Sequence, residues 1–237
     1  MSPKHEIKEP TLSNTHFQDG KYLQDGRLAV SFGAFEGDNI FRFSGVGAQS
    51  EPSTAATALN ADDNLMYAGR VQMAFWGAEP GYYGTGNYFG AKDILTVGIA
   101  GRKKSDGAIS TTAKGDYSSY SVDFLMEKTG VGPGTLSLEA AYYDYDTDKV
   151  FLAEEGDAYY AGAGYLFNKQ VGWGKFMPFV RYQEFDADNK IKTERTDVGV
   201  NYVMAPYNAV ISAEYQKTKV TAAKSIDAYM VSMQYQF

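Results

Sequence analysis

The residues best placed to do chemistry are charged side chains set into otherwise apolar, alternating segments. Arg42 lies between Phe41 and Phe43, Arg181 between Val180 and Tyr182, and Glu139 between Leu138 and Ala140. In a strand, successive side chains point to opposite faces, so such charges gather on one face while the apolar residues gather on the other. By this alternation Arg42, Arg70, Arg102, Arg181 and Arg195 share the polar face with Asp123, Glu139, Asp197 and Glu214. Basic groups ringing a channel attract anions. A wall carrying both signs neutralises itself, and the mixture here favours that second reading. These nine residues are the expected pore lining, without evidence for phosphate selectivity.

Other chemistries are poorly supplied. The only histidines, His5 and His16, precede every expected strand, so no rim pairs a His with a Ser for hydrolysis. There is no cysteine, which removes thiol catalysis and Cys-based metal sites. The Gly-rich run GAEPGYYGTGNYFG lacks the Lys-Ser/Thr ending of a phosphate-binding loop and reads as a turn and strand start. Asp144–Asp148 and Asp186–Asp188 lack an EF-hand's spacing. No enzyme and no cofactor are expected. The formal net charge of -7 offers no basic face for nucleic acid. Lys103, Lys104, Lys217 and Lys219 fall near strand ends, where they solvate loops. The tyrosines read as interface anchors and lumen lining.

The elements that must position the charged face are strands. Aromatics make up 15 % of the chain, with 19 Tyr and 14 Phe, and there are 25 Gly; such a composition suits strands and turns. No apolar run approaches the ~20 residues of a membrane helix, as expected where only every second residue meets lipid. Eleven strands are predicted: Arg27–Phe35, Asn39–Gly47, Met66–Trp76, Asp93–Lys104, Tyr117–Met126, Thr135–Tyr145, Asp157–Phe167, Lys175–Phe185, Arg195–Val203, Asn208–Lys217 and Asp227–Phe237. The last has the cleanest alternation: Tyr229, Val231, Met233, Tyr235 and Phe237 against Ala228, Met230, Ser232, Gln234 and Gln236. An alternating segment ending on Phe suits a closing strand with lipid on one side and a lumen on the other.

The connections sort by length. Counted back from Phe237, they alternate long and short, with 77–91 the exception. Outer-membrane barrels carry long external loops and short periplasmic turns, whereas a soluble sandwich has no reason to sort its loops. The expected fold is therefore all-β, an antiparallel transmembrane β-barrel. Residues 1–26 read as a polar N-terminal segment, with His16–Gly26 as the remnant of an external loop; residues 27–237 form the barrel region. The N-terminal segment has no apolar core of the kind a secretory signal carries.

Tyr67–Gly101 (YAGRVQMAFWGAEPGYYGTGNYFGAKDILTVGIAG), LEAAYYDYD, YYAGAGYLF, MPFVRYQEFD and TDVGVNYVMAPYNAVISAEYQ occur in that order. The ordered set resembles the phosphate-selective porin O and P family of Gram-negative outer membranes. That resemblance implies a sixteen-stranded barrel in the bacterial outer membrane, a homotrimer when full length, through which small hydrophilic solutes and ions, anions among them, diffuse passively. Members of the family carry about five further strands upstream, so the eleven strands here correspond to the family's C-terminal part. A strand hidden within Lys4–Tyr22, giving a twelve-stranded barrel, is the alternative. A translocator barrel anchoring a passenger and a soluble β-sandwich binding module are the competing classes.

Overall fold

A computed structural model describes residues 15–35 apart from 24 and 25, and then 64–78, 87–109, 113–150, 155–206 and 208–235. Eleven antiparallel strands form one sheet in sequence order: β1 (Thr15–Leu23), β2 (Leu28–Phe35), β3 (Met66–Ala74), β4 (Ile94–Ile109), β5 (Lys114–Val131), β6 (Gly134–Asp146), β7 (Gly156–Phe167), β8 (Lys175–Ala187), β9 (Lys192–Ala205), β10 (Ala209–Val220) and β11 (Ile226–Tyr235). The described residues form no second sheet. The described pairings do not join β11 back to β1, so the sheet is open.

Ten of the eleven predicted strands overlap observed ones. The set differs at the start. Thr15–Leu23, expected within a polar segment and partly as a loop remnant, is β1, paired with β2 from Leu23↔Leu28 to Thr15↔Phe35. Its sequence, THFQDGKYL, alternates too weakly to announce a strand; backbone pairing with β2 is indifferent to side chains and decides the matter. The hidden strand of the twelve-strand alternative is thus found, although the described total is eleven. Residues 39–47 lie outside the described residues. The positions beside β2 are taken by β1 and β3, so no further strand separates β2 from β3. In consequence Phe35 ends on the same side as connection 147–155, the reverse of the expected direction.

The strand ends that flank 24–27, 75–93, 132–133, 168–174 and 206–208 share what we call the lower end; those that flank 36–65, 110–113, 147–155, 188–191 and 221–225 share the upper end. The sorting by length is weaker than the sequence suggests. Much of the expected upper loops 105–116, 186–194 and 217–225 is strand, because β4 and β5 pair out to Ile109↔Lys114 and β8 and β9 out to Asp186↔Lys192.

The sheet curls around a short segment of connection 75–93. Tyr88 and Gly90 donate backbone N–H groups to the Glu127 carboxylate on β5, at 2.9 and 2.5 Å. Phe89 between them packs on Leu166, Met177, Val203 and Val210 of β7 to β10. In a flat sheet β5 and β10 would stand about 24 Å apart, at ~4.8 Å per strand. A short segment that touches β5 at Glu127 and the β7–β10 cluster through Phe89 fits a concave face. That four-residue cluster is the only buried hydrophobic cluster among the described residues.

Candidate functional site

The concave face carries the expected polar residues. Register places Arg70, Arg102, Asp123, Glu139, Arg181, Arg195, Asp197 and Glu214 together on it, as the alternation requires. Arg42 lies outside the described residues.

Two clusters form. Arg70 of β3 reaches across β4 to Asp123 of β5, with Nη2 2.8 Å from Oδ1 and Nη1 on Oδ2, and it also donates to Gln72. The bridge passes over Gly98: a Cβ there would stand 2.2 Å from Arg70 Nη2 and 2.8 Å from Asp123 Oδ1. Glycine at this position lets a long side chain lie flat across a strand. In the second cluster Arg181 Nη2 of β8 is 2.6 Å from Glu214 Oε2 of β10 and 3.4 Å from Asp197 Oδ2 of β9. Arg195 Nε donates to Asp197 Oδ1 at 2.8 Å. Asp197 is fully buried beneath both guanidinium groups, with Gln183 Nε2 a further 3.5 Å away. Beside it, the Tyr160 hydroxyl donates to Glu139 Oε1 at 2.5 Å.

Three of the four described arginines of this face are therefore spent on carboxylates of the same wall. The fourth, Arg102, donates to Ser119 Oγ at 2.9 Å and sits over the Tyr117 ring. The acidic residues neutralise the arginines, as the mixed-sign reading expects. The face is polar and nearly balanced in charge, and it gives a small solute no continuous basic ladder.

Glu127 was not singled out in the sequence, yet it is fully buried on this face. Besides the two N–H groups of segment 87–92 it accepts from Ser137 Oγ at 3.1 Å. Successive backbone N–H groups bent around an anion form a nest, and here the anion is a side chain of the wall. Phe89 and Gly90 take φ of 53° and 78°, left-handed conformations that turn the Phe89 ring inward. Asn87 Oδ1 caps the bend by accepting from Phe89 N at 2.8 Å. The sequence of the Gly-rich run suits a turn and strand start; its described end instead folds into the concavity at the lower end. Lys104, expected to solvate a loop, is buried on the concave face, opposite Tyr117 and close to Gly107.

The convex face is the opposite in character. Tyr120, Tyr142 and Tyr159 form an upper row with centroids 5.8 and 5.1 Å apart; Tyr182, Tyr215 and Tyr229 continue it on later strands, the row stepping down the register from Tyr159 to Tyr182 and again to Tyr215. A lower row holds Tyr165, Phe167, Phe176, Tyr202 and Tyr235. On β7, β8 and β11 the rows are six residues apart (Tyr159/Tyr165, Phe176/Tyr182, Tyr229/Tyr235), about 20 Å along the strand. Between the rows none of the described convex-face residues is charged. Val71, Ile99, Val122, Val180, Val198 and Val231 there are all exposed.

The lower rim is pinned at Asp93, just ahead of β4. Lys128 forms an ion pair with it, and the Thr129 hydroxyl and N–H donate to it at 2.6 and 2.8 Å. The Lys128 hydrogen bond, followed by those from Thr129, holds the Asp93 carboxyl well below the usual carboxylate range. Among the described residues no group of acids, histidines or cysteines is arranged to hold a metal.

The class these features define is an all-β, single-layer antiparallel sheet with a polar concave face and an apolar convex one. Comparison with protein-family models, with curated proteins and with solved structures returned no match for the chain.

Proposed function

We propose that the chain forms the wall of a channel in a bacterial outer membrane, through which small hydrophilic solutes and ions diffuse passively. The observation that carries this reading is the convex face: an exposed, uncharged apolar band bounded above and below by rows of Tyr and Phe. In water such a band would be a large aggregation-prone patch; against lipid it is the outer surface of a barrel, with the aromatics at the two interfaces. The concave face then lines the aqueous side. Its paired charges favour general diffusion over selection of phosphate, and its inward segment at 87–92 narrows the lower end. The sequence resemblance to the porin O and P family points the same way.

Strand direction adds a constraint. β1 and β11 run parallel to each other, since ten antiparallel steps separate them. A fully antiparallel barrel therefore needs an odd number of additional strands between β11 and β1. A second copy inserted in the same orientation cannot supply them, because its β1 would meet β11 in parallel. Strands beyond the eleven described complete the wall, and the five implied by the resemblance satisfy the parity.

The test is refolding into lipid, followed by single-channel conductance under a salt gradient, with and without the upstream strands supplied in trans. Ion steps that need the added strands, and a reversal potential of weak selectivity, are the expected result. A chain that is fully soluble without detergent and never produces steps refutes the channel.

A further inference from the structure

We infer that the upper rim of β9 and β10 binds the phosphate of a lipid headgroup; this rests on the membrane reading above. Lys192, Glu194, Lys217, Lys219, Thr221 and Ser225 line an open cleft of about 370 Å3 on the convex side. Lys217 follows Tyr215 on the same face, and Lys219 stands opposite Glu194, just above Thr196. The cleft therefore begins where the upper tyrosine row ends. Lysine stems rising from an interfacial aromatic row place their ammonium groups at headgroup depth.

The charges in the cleft are unevenly matched: three ammonium groups face one carboxylate. Lys192 is bound to Glu184 outside the cleft, at 2.6 Å. Lys219 Nζ is 3.9 Å from Glu194 Oε2, beyond hydrogen-bond distance. Lys217 has no ion pair among the described residues. Its cross-strand partner, Asp227, accepts instead from the Tyr215 hydroxyl at 2.8 Å. Thr221, whose hydroxyl is bonded to the Lys192 backbone at 2.9 Å, fixes the floor. Two under-compensated ammonium groups beside hydroxyls make an anion site, and its height on the apolar face selects an anion tethered to a lipid.

The neighbouring sector makes the cleft specific. At the level of Lys192 the register runs Asp144, Asp157 and Asp186 across β6, β7 and β8, all on the convex face. That sector repels a phosphate, so anionic headgroups favour β9 and β10 over β6 to β8.

The experiment measures binding of the detergent-folded chain to phosphatidic acid, which carries a phosphomonoester, against phosphatidylcholine, with inorganic phosphate as competitor. Phosphatidic acid is expected to bind more tightly. At ~1 kcal/mol per interfacial lysine, Lys217→Gln lowers that preference about fivefold and Lys217→Gln/Lys219→Gln about twenty-five-fold. Lys217→Arg/Lys219→Arg retains it, and Lys103→Gln, on β4, leaves it unchanged. Equal binding of both lipids, or a double glutamine variant that binds like the parent, overturns the site. Displacement of the lipid by inorganic phosphate at equal concentration makes it a solute site and overturns the lipid assignment. A chain that enters neither micelles nor bilayers overturns the membrane reading itself; insertion without headgroup preference overturns only the cleft.

Discussion

Neighbouring residues in this chain live in opposite environments. Asp197 is fully buried, while Val198, the next residue, is 51 % exposed; Arg181 is paired with two carboxylates, while Val180 beside it is 45 % exposed. Arg70 and Asp123 likewise pair with each other on one face, while Val71 and Val122 beside them are exposed on the other. Two of the three largest fully buried side chains among the described residues are carboxylates, Glu127 and Asp197. In a soluble domain charged groups are almost never buried, and a sheet hides its apolar face against a second layer. Among the described residues the apolar face has no layer over it, and the charges are paired with one another. Burial and polarity are decoupled, as the proposed channel wall requires of two faces that meet different solvents.

The contrast breaks most sharply on the convex side. Val198→Arg puts a charge within the apolar band. In a bilayer it should cost about 2–4 kcal/mol at mid-depth, whereas in water a substitution at an exposed site stays within about 0.5 kcal/mol. Urea unfolding from lipid vesicles and from mild detergent reads the difference, and an identical small effect in both refutes the lipid-facing assignment. On the concave side, Asp197→Ala leaves Arg181 and Arg195 without their shared acceptor. Hydrogen bonds to charged groups contribute about 1.5–3 kcal/mol, so the same unfolding assay should register a loss of that order. The wall also gains one net positive charge, and the reversal potential should shift toward anions.

A smaller effect is expected at Gly98→Val, which pushes the Arg70 guanidinium off Asp123. The pair is about one-third exposed, so about 1 kcal/mol is the upper end of the loss. Double-mutant comparison with Asp123→Asn checks the cause: if the bridge is what Gly98 protects, the valine costs less in the Asn background. The smallest effect lies at the lower rim. Because folding holds the Asp93 carboxyl below its ordinary value, its stabilising contribution is complete above the unfolded value of about 3.9 and fades as the pH falls below it. Asp93→Asn should therefore be less stable than the parent near neutral pH and converge with it in acid, as read by Tm against pH. Parallel curves would mean that the Lys128 and Thr129 contacts add nothing.

Face assignment was legible early because it is local. Period-2 alternation assigns Arg70, Asp123, Arg181 and Glu214 to one side and Val71, Val122, Val180 and Ile211 to the other, and register confirms it. Most strands were legible for the same reason. β1 was not, since Thr15–Leu23 mixes polar and apolar residues on both faces and is defined by its pairing with β2. Nor was segment 87–92, whose glycine and aromatic residues suit a turn; its place depends on Glu127, more than thirty positions downstream.

The sequence by itself thus determined that the chain is a run of strands with one charged and one apolar face, because alternation needs only neighbouring residues. Tertiary structure alone decided which arginine meets which carboxylate, since Arg70 reaches Asp123 two strands away over a glycine. It also decided that Glu127 holds an inward fold. And it gathered Lys192, Lys217 and Lys219 above the tyrosine row beside an acidic rim, because curvature and register bring together residues that the chain keeps apart.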